Sequence, residues 1–567
     1  QNPVFRGSNP FAMGQSKLLI DGVVVNDRLL GSYNQFLETP IEIIERIEVV
    51  RGPGSLESSV NAYAGSINVI TKANEDDGAK KENSLFSSFG SQNYAMGGFV
   101  GSYVNDDLKL SSDFFYQKHD KTLPIGVDRF GTPGTDSPLW LKNYALGLNA
   151  TYKDFYVKGR FAKNESGISY GQAFSISQDD SDFLNLANNF LETGYVFKIT
   201  PTVEAKLSVG YLDERRTLQN KVVPNMMALP MGRYFLVDYS EEVFNERLEV
   251  KITSIQNHTI TVGALLTQAK VKDNAARTSL DNLTSFKTTD LLSNDKRETQ
   301  SFYVNDLINI SEQTSLQIGL KFDHYSDVKD QFSPRLALVH RYNDENIFKL
   351  TYTKAFREPS WREEYLVGTA YPNSGSNLEP ESVDAYEAAY VFKFLKKSDL
   401  KINLFYLQNK NQINAENDAT TFNNIDDNQL YGAEVELGAQ LSDNDKLYAN
   451  YSYVAGDNSD NALANATQNM AKAYYIRTLN QSFSVSSIVK YIGEKDRVEG
   501  DERKTTGAYV LTDVTATYKH KPSDLLVSLS VKNLFDEDDY RPSPNNTYEG
   551  DFVQEGRSFL VRLSKRF

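Results

Sequence analysis

The sequence of 567 residues contains no cysteine. That absence removes disulfide frameworks, thiol nucleophiles and thiolate metal sites together. Tryptophan occurs 2 times, histidine 5 and methionine 6, and no nucleophile–base–orienter set of a hydrolase stands out. No apolar run approaches the roughly 18 residues that a membrane-spanning helix needs. Positive charge is not in excess either. The net charge is -15, which argues against nucleic acid, whose recognition needs a basic footprint. The first residues, QNPVFRGSNPF, lack the basic start and apolar core of a signal peptide. A removed leader would leave the same picture.

What the chain does contain is aromatic residues, with 33 Tyr and 32 Phe, and a period of two. DLKLSSDFFYQK sets Leu108, Leu110, Phe114 and Tyr116 against Lys109, Ser111, Asp113 and Gln117. LQIGLKFD sets Leu316, Ile318, Leu320 and Phe322 against Gln317, Lys321 and Asp323. VEAKLSVGY, KLYANYSYV and RSFLVRLSKRF repeat the pattern. This is the strand period. The polar face carries full charges, and the apolar face carries Tyr or Phe near strand ends. A wet lumen and aromatic girdles at two membrane interfaces produce both features. A soluble sandwich of this size would need several cores and linkers to divide them, and no Pro-rich or Ser-rich linker is present.

Connections alternate between short and long. Short ones lie near Asn105–Asp107, Pro201 and Asn343–Asn346, and long ones are expected at Lys118–Asn143, Gly167–Asn188, Thr217–Ser240, Val271–Arg297, Phe356–Glu381 and Asp496–Gly507. That alternation fits an outer-membrane barrel with short periplasmic turns and long outer loops. Backbone in lipid must satisfy every N–H and C=O, so the sheet must close. At roughly 22 residues per strand and connection, residues 81–567 hold about 22 antiparallel strands, the size of a transporter barrel with a plugged lumen. The expected fold is therefore an all-β transmembrane barrel with a smaller unit, residues 1–80, inside it.

That front unit lacks the long alternation. LLIDGVVVND, IERIEVVRGPGSL and AGSINVITK are short apolar strands broken by Gly, Asp and Pro. In this order they resemble the mixed α/β plug of TonB-dependent outer-membrane transporters. AFREPSWREEY, SNLEPESVDAYEAAYVF, QLYGAEVEL, LTDVTATYK, VKNLFDEDDY and GRSFLVRLSKRF follow that family's barrel motifs to the end of the chain. Against the family pattern the plug reads as shortened at its N-terminus, with no TonB box in view. LESS stands where Leu-Tyr-Gly is usual, and AYAGSIN carries one glycine where two are common.

The resemblance implies energised import of a scarce nutrient across the bacterial outer membrane, not an enzyme, and no cofactor. A TonB–ExbB–ExbD complex would pull on the plug. Outer-membrane lipid, lipopolysaccharide and the barrel assembly machinery would be the other partners, and Phe567 resembles the assembly signal. It also implies ion pairs between plug Arg46 and Arg51 and wall Glu387, Glu434 and Glu436. Such pairs fix orientation while adding little net stability.

Cargo is less legible. Family haem receptors carry histidines in the stretch matching Ala355–Glu381, which here has none. A ferric siderophore is the expected ligand, with cobalamin and copper as alternatives. Phe11, Gln15, Arg28 and Tyr33 match plug-apex positions, and Tyr234, Phe235 and Trp361 are loop aromatics able to line a pocket. Met13, Met226, Met227 and Met231 would be thioether ligands for a soft metal, or ordinary apolar packing. A passive porin-like channel with a reduced plug is the alternative of a different class. Silence or steady current in a planar bilayer separates the two.

Overall fold

The computed structural model describes residues 5–7, 14–32, 39–53, 62–74, 83–123, 137–168, 182–223, 233–279, 286–367, 375, 377–395, 397–415, 421–425, 427–456, 463–543, 545, 548 and 550–567. Alternation along the chain makes the wall. A strand with apolar residues at every second position can face lipid on one side and water on the other. Twenty-three strands stand in one closed ring, and Phe286–Asp290 pairs only with the outer end of His258–Ser279. The remaining 22 form the antiparallel wall. The ring closes where Ser558–Arg566 pairs with Ser84–Gly90. No helix among the described residues is long and apolar enough to cross a membrane.

The faces of Thr314–Tyr325 show which side is which. Ile318, Leu320 and Phe322 are 41%, 40% and 39% exposed, whereas Lys321 and Asp323 are 2% and 1% exposed and paired at 2.8 Å. Greasy residues point outward and charges inward, the reverse of a soluble core. Outward aromatics meet across strands, as in Tyr211 with Phe244 at 4.9 Å and Tyr352 with Tyr386 at 5.1 Å between centroids.

Wall strands differ in length. Val203–Val223, Arg233–Ile252 and His258–Ser279 have 21, 20 and 22 residues, while Leu525–Lys532 and Ser84–Gly90 have 8 and 7. The strands run further than the alternation alone suggests. Leu108–Leu123 and Ser137–Tyr152 penetrate the expected loop Lys118–Asn143, and Val203–Val223 and Arg233–Ile252 penetrate Thr217–Ser240. Outside the bilayer neither face needs to be greasy. The pairing continues there after the sequence pattern has faded.

Inside the ring lies a four-stranded sheet of β1 (Ser16–Ile20), β2 (Val23–Val24), β3 (Ile44–Arg51) and β4 (Gly65–Thr71), in the order β2-β1-β4-β3. Asp21 and Gly22, with φ of 53° and 80°, turn β1 into β2. Asp-Gly suits a turn with two positive φ angles. The sheet is mixed, because β1 and β4 run parallel. The expected helical part of the plug is reduced, among the described residues, to the 3-10 turn Ile41–Ile43.

The plug seats on the wall through apolar side chains. Leu18, Ile20, Val25, Leu29 and Val69 join Phe190, Leu212, Val237 and Val243 of the wall in one buried cluster with Trp361.

Candidate functional site

A second seat is ionic. Arg6, only 8% exposed, places Nη2 2.8 Å from Glu387 Oε2 and Nε 3.2 Å from Glu434 Oε1. Its guanidinium also lies 4.5 Å from the centre of the Phe405 ring. Arg51, at the end of β3, reaches Glu434 Oε2 at 3.3 Å and also pairs with Glu436. Asn403 donates to Glu387 at 3.1 Å. Burial works against the Arg6 charge, but Glu387 and Glu434 raise its pKa above the usual arginine value.

Arg46 does not join this cluster. Its Nε lies 2.9 Å from Glu48 of its own strand, and both side chains are about half exposed. Arg46 and Arg51 are an odd number of residues apart, so the strand sends them to opposite faces. Arg6 takes the place expected for Arg46. The signal was present in the sequence as Phe-Arg-Gly, where Arg6 and Gly7 have φ of 48° and 76°.

A third contact comes from the outer side. After strand Asn346–Arg357 the chain passes through Glu358, Pro359 and Ser360 into the short helix α1 (Trp361–Tyr365). Ser360 and Glu363 form a capping box, the reciprocal arrangement that starts a helix. Arg357 grips Glu363 with two bonds of 2.8 and 3.1 Å and Glu381 with a third of 2.7 Å. The first N–H groups of a helix have no partner within it. Here Trp361 N donates to Arg28 O at 3.0 Å and Arg362 N to Leu29 O at 2.9 Å. Both acceptors belong to the plug.

They lie in the turn Asp27–Ser32. Asp27 N donates to Ser32 O at 2.9 Å and Gly31 N to Asp27 O at 2.8 Å. Arg216 donates to Asp27 at 3.0 Å, and Arg28 lies 3.4 Å from Glu241. Lys17 meets Glu358 at 3.3 Å. Burial pushes the Glu358 carboxyl up, but Lys17, a backbone N–H and Arg297 hold it at about 2. Glu364 goes the other way. Burial raises it to about 7; Arg297, 3.5 Å away, opposes the rise, and the charges of Asp327 and Glu363 add to it.

Beneath this contact a cavity of about 180 Å³ separates plug from wall, lined by Lys17, Arg247, Lys321, Glu192, Asp323 and Glu358 among others. Pockets for drug-sized ligands run from about 300 to 1,000 Å³.

The remaining expected ligand residues are scattered. Gln15 is buried and donates to Glu381 at 3.3 Å. Tyr234 and Trp361 are buried, and Phe235 packs against the apolar seat. Gln15, Tyr234 and Trp361 therefore present no open aromatic or polar surface. Arg28 retains partial exposure beside Glu241. Phe11, Met13, Tyr33, Met226, Met227 and Met231 lie outside the described residues. Among the described residues no group of three or more His, Asp or Glu could hold a metal ion. Phe567 N donates to Asn83 O at 2.9 Å, beside the closing pair of wall strands.

Comparison with known proteins gives the same two parts. Residues 82–534 match the model of the TonB dependent receptor-like beta-barrel, and residues 1–66 match the TonB-dependent Receptor Plug Domain. The vitamin B12 transporter BtuB of Vibrio vulnificus (strain YJ016) is 24% identical over 568 residues, spanning 97% of this chain and 84% of that protein. The heme/hemopexin utilization protein C of Haemophilus influenzae (strain 86-028NP) is 23% identical over 637 residues, spanning 96% and 86%. Among solved structures, the siderophore receptor PirA from Acinetobacter baumannii superposes with a TM-score of 0.78 at 17% identity, covering 99% of this chain and 91% of that one. The copper transporter OprC superposes with 0.79 at 15%, covering 100% and 92%. At these identities the superpositions speak to fold alone.

Proposed function

The chain belongs to the TonB-dependent receptor family, and on that premise we propose that it imports a ferric siderophore complex across the bacterial outer membrane. The observation that carries this reading is the ionic seat. Arg6 and Arg51 of the plug meet Glu387, Glu434 and Glu436 of the wall where a permanent core would use apolar side chains. Buried ion pairs set orientation, and after desolvation they add little net stability. A stopper held this way keeps one position at rest and comes free when pulled. The pull comes from an inner-membrane TonB–ExbB–ExbD complex, since the outer membrane holds no ATP.

The cavity of about 180 Å³ supports the same reading. It is smaller than the roughly 300 Å³ at which pockets for drug-sized ligands begin. A metal chelate needs more room, so it passes only when the plug rearranges. Release from a tight site then requires that rearrangement to lower affinity.

A ferric siderophore is favoured over haem because Ala355–Glu381 contains no histidine. Cobalamin and copper are cargoes of relatives with this architecture, and Met13, Met226, Met227 and Met231 are the residues to replace if copper is bound. Of the expected apex residues Arg28, Phe11 and Tyr33, and of the loop aromatics Phe235, are proposed for ligand contact. Lipid, lipopolysaccharide and the barrel assembly machinery acting on Phe567 complete the proposed partners.

The test is mass analysis of the protein purified from iron-starved cells, followed by uptake of the identified chelate labelled with radioactive iron. Uptake that stops when the proton gradient is collapsed supports the proposal. Uptake that persists without the gradient, or steady current through the purified protein in a planar bilayer, transfers it to a passive channel.

A further inference from the structure

Helix α1 is too short to be stable alone. Its five residues exist because both ends are held. Arg357 and the capping box fix its start, and Arg297 reaches Glu364 near its end. Of its first N–H groups, those of Trp361 and Arg362 donate to Arg28 O and Leu29 O of the plug, while those of Glu363 and Glu364 donate to Ser360. Trp361 is 0% exposed and packs in the same cluster as Leu29, Val25 and Val237. The hydrogen bonds and the tryptophan therefore act on one plug turn, Asp27–Ser32. If that turn moves toward the periplasm, two backbone donors and a large apolar side chain lose their partners together. If α1 lifts outward, the turn loses the same contacts. Packed contacts of this kind have two discrete arrangements rather than a continuum.

We propose that the outer loop Glu358–Val367 is a latch on the plug, with Trp361 and Arg362 as positioning residues that hold the turn Asp27–Ser32 until transport begins. The latch rests on the import reading for its purpose, but its physical content is separate. The plug turn and the loop open as one unit, so a solute that displaces the loop from above loosens the plug below. Replacing Trp361 changes the rate of transport more than the binding of cargo.

Hydrogen exchange on the full chain in detergent tests the unit directly. In Trp361→Ala the amides of Asp27, Leu30 and Gly31 exchange about tenfold faster or more, while those of the wall strand Thr314–Tyr325 keep the wild-type rate. Trp361→Phe restores most of the protection. Unchanged exchange at Asp27–Gly31 in Trp361→Ala overturns the latch.

A second variant reads out joining rather than loosening, and its reduced form serves as its own control. The chain has no cysteine, so Leu29→Cys with Arg362→Cys introduces the only two thiols. They replace neighbours joined by the Arg362 N to Leu29 O hydrogen bond. The oxidised form is expected to stop uptake, which returns with reductant. Continued uptake through the cross-linked protein overturns the proposal. Absence of uptake in the unmodified chain overturns the import reading instead, and leaves the exchange result standing on its own.

Discussion

Toward Phe183–Thr200, Val203–Val223, Arg233–Ile252 and His258–Ser279 the plug offers Leu18, Ile20, Val25 and Leu29, and the wall answers with Phe190, Leu212, Val237 and Val243. Toward Glu381–Leu395 and Asn428–Gln440 it offers Arg6 and Arg51, and the wall answers with three glutamates. The apolar seat is non-directional and gains free energy in proportion to area. The ionic seat has defined geometry and gains little overall, yet losing one partner is costly. One seat supplies adhesion and the other supplies address. A plug made only of the first would be hard to move, and one made only of the second would be poorly retained.

This division can be broken most severely at Glu434, which serves both arginines. Glu434→Ala leaves Arg6 and Arg51 short of a buried partner and should cost about 3–5 kcal/mol. Urea titration read by Trp361 fluorescence, in a Trp140→Phe background, measures it. Replacing all of the cluster except the part-exposed Glu436 (Arg6→Met, Arg51→Met, Glu387→Leu, Glu434→Leu) should be neutral or stabilising by about 1–4 kcal/mol. A large loss from the quadruple change would show that the ionic seat contributes adhesion after all.

Leu29→Ala, in the apolar seat, should cost about 2–5 kcal/mol by cavity formation. Unlike the charge changes it should do so equally at low and high salt. Ser360→Ala removes the cap of α1 and should cost about 1 kcal/mol. The loss would be confined to the outer loop and visible as faster exchange there.

The smallest effect is set by pH. The Glu364 carboxyl is raised by burial to about 7 in the folded chain, against about 4.3 in an unfolded one. The folded state therefore binds the proton more tightly. Its contribution is complete below about pH 4 and is lost as pH rises through 7. Glu358, held at about 2, contributes above the ordinary carboxylate range and loses that only in strong acid. Between pH 5.5 and 7.5 only the first changes. Exchange of the loop should rise several-fold beyond the intrinsic base effect, and Glu364→Gln should flatten that slope.

The closed wall and its inside-out polarity were legible because hydrocarbon imposes a strict rule on every second residue. Leu316 to Phe322 obey it in the sequence and in the structure. The strand ends were not legible, since Thr217–Val223 pairs in water without any such rule. The ionic seat was half legible. Glu387 and Glu434 come to the plug, while Arg46 turns away by strand parity and Arg6 enters from a turn that carries no period. Trp361 looked like a loop aromatic free to meet a ligand, because nothing local announces that a loop folds inward onto a partner distant in sequence. Its capping box, Ser360 to Glu363, did announce a helix start, and the expectation passed over it.

The unequal wall strands have one more consequence. At about 3.3 Å per residue and a tilt near 40°, strands of 22 and 8 residues rise about 55 and 20 Å along the barrel axis. The apolar band of such barrels is about 25 Å tall. One flank thus carries its paired wall well beyond the bilayer, whereas above the short strands the outer surface is built by loops, with Arg497 of one tied to Asp551 of the next at 2.6 Å. A rim made of continued strands on one flank and cross-linked loops on the other is stiff by two different means, backbone pairing in the first and side-chain ion pairs in the second.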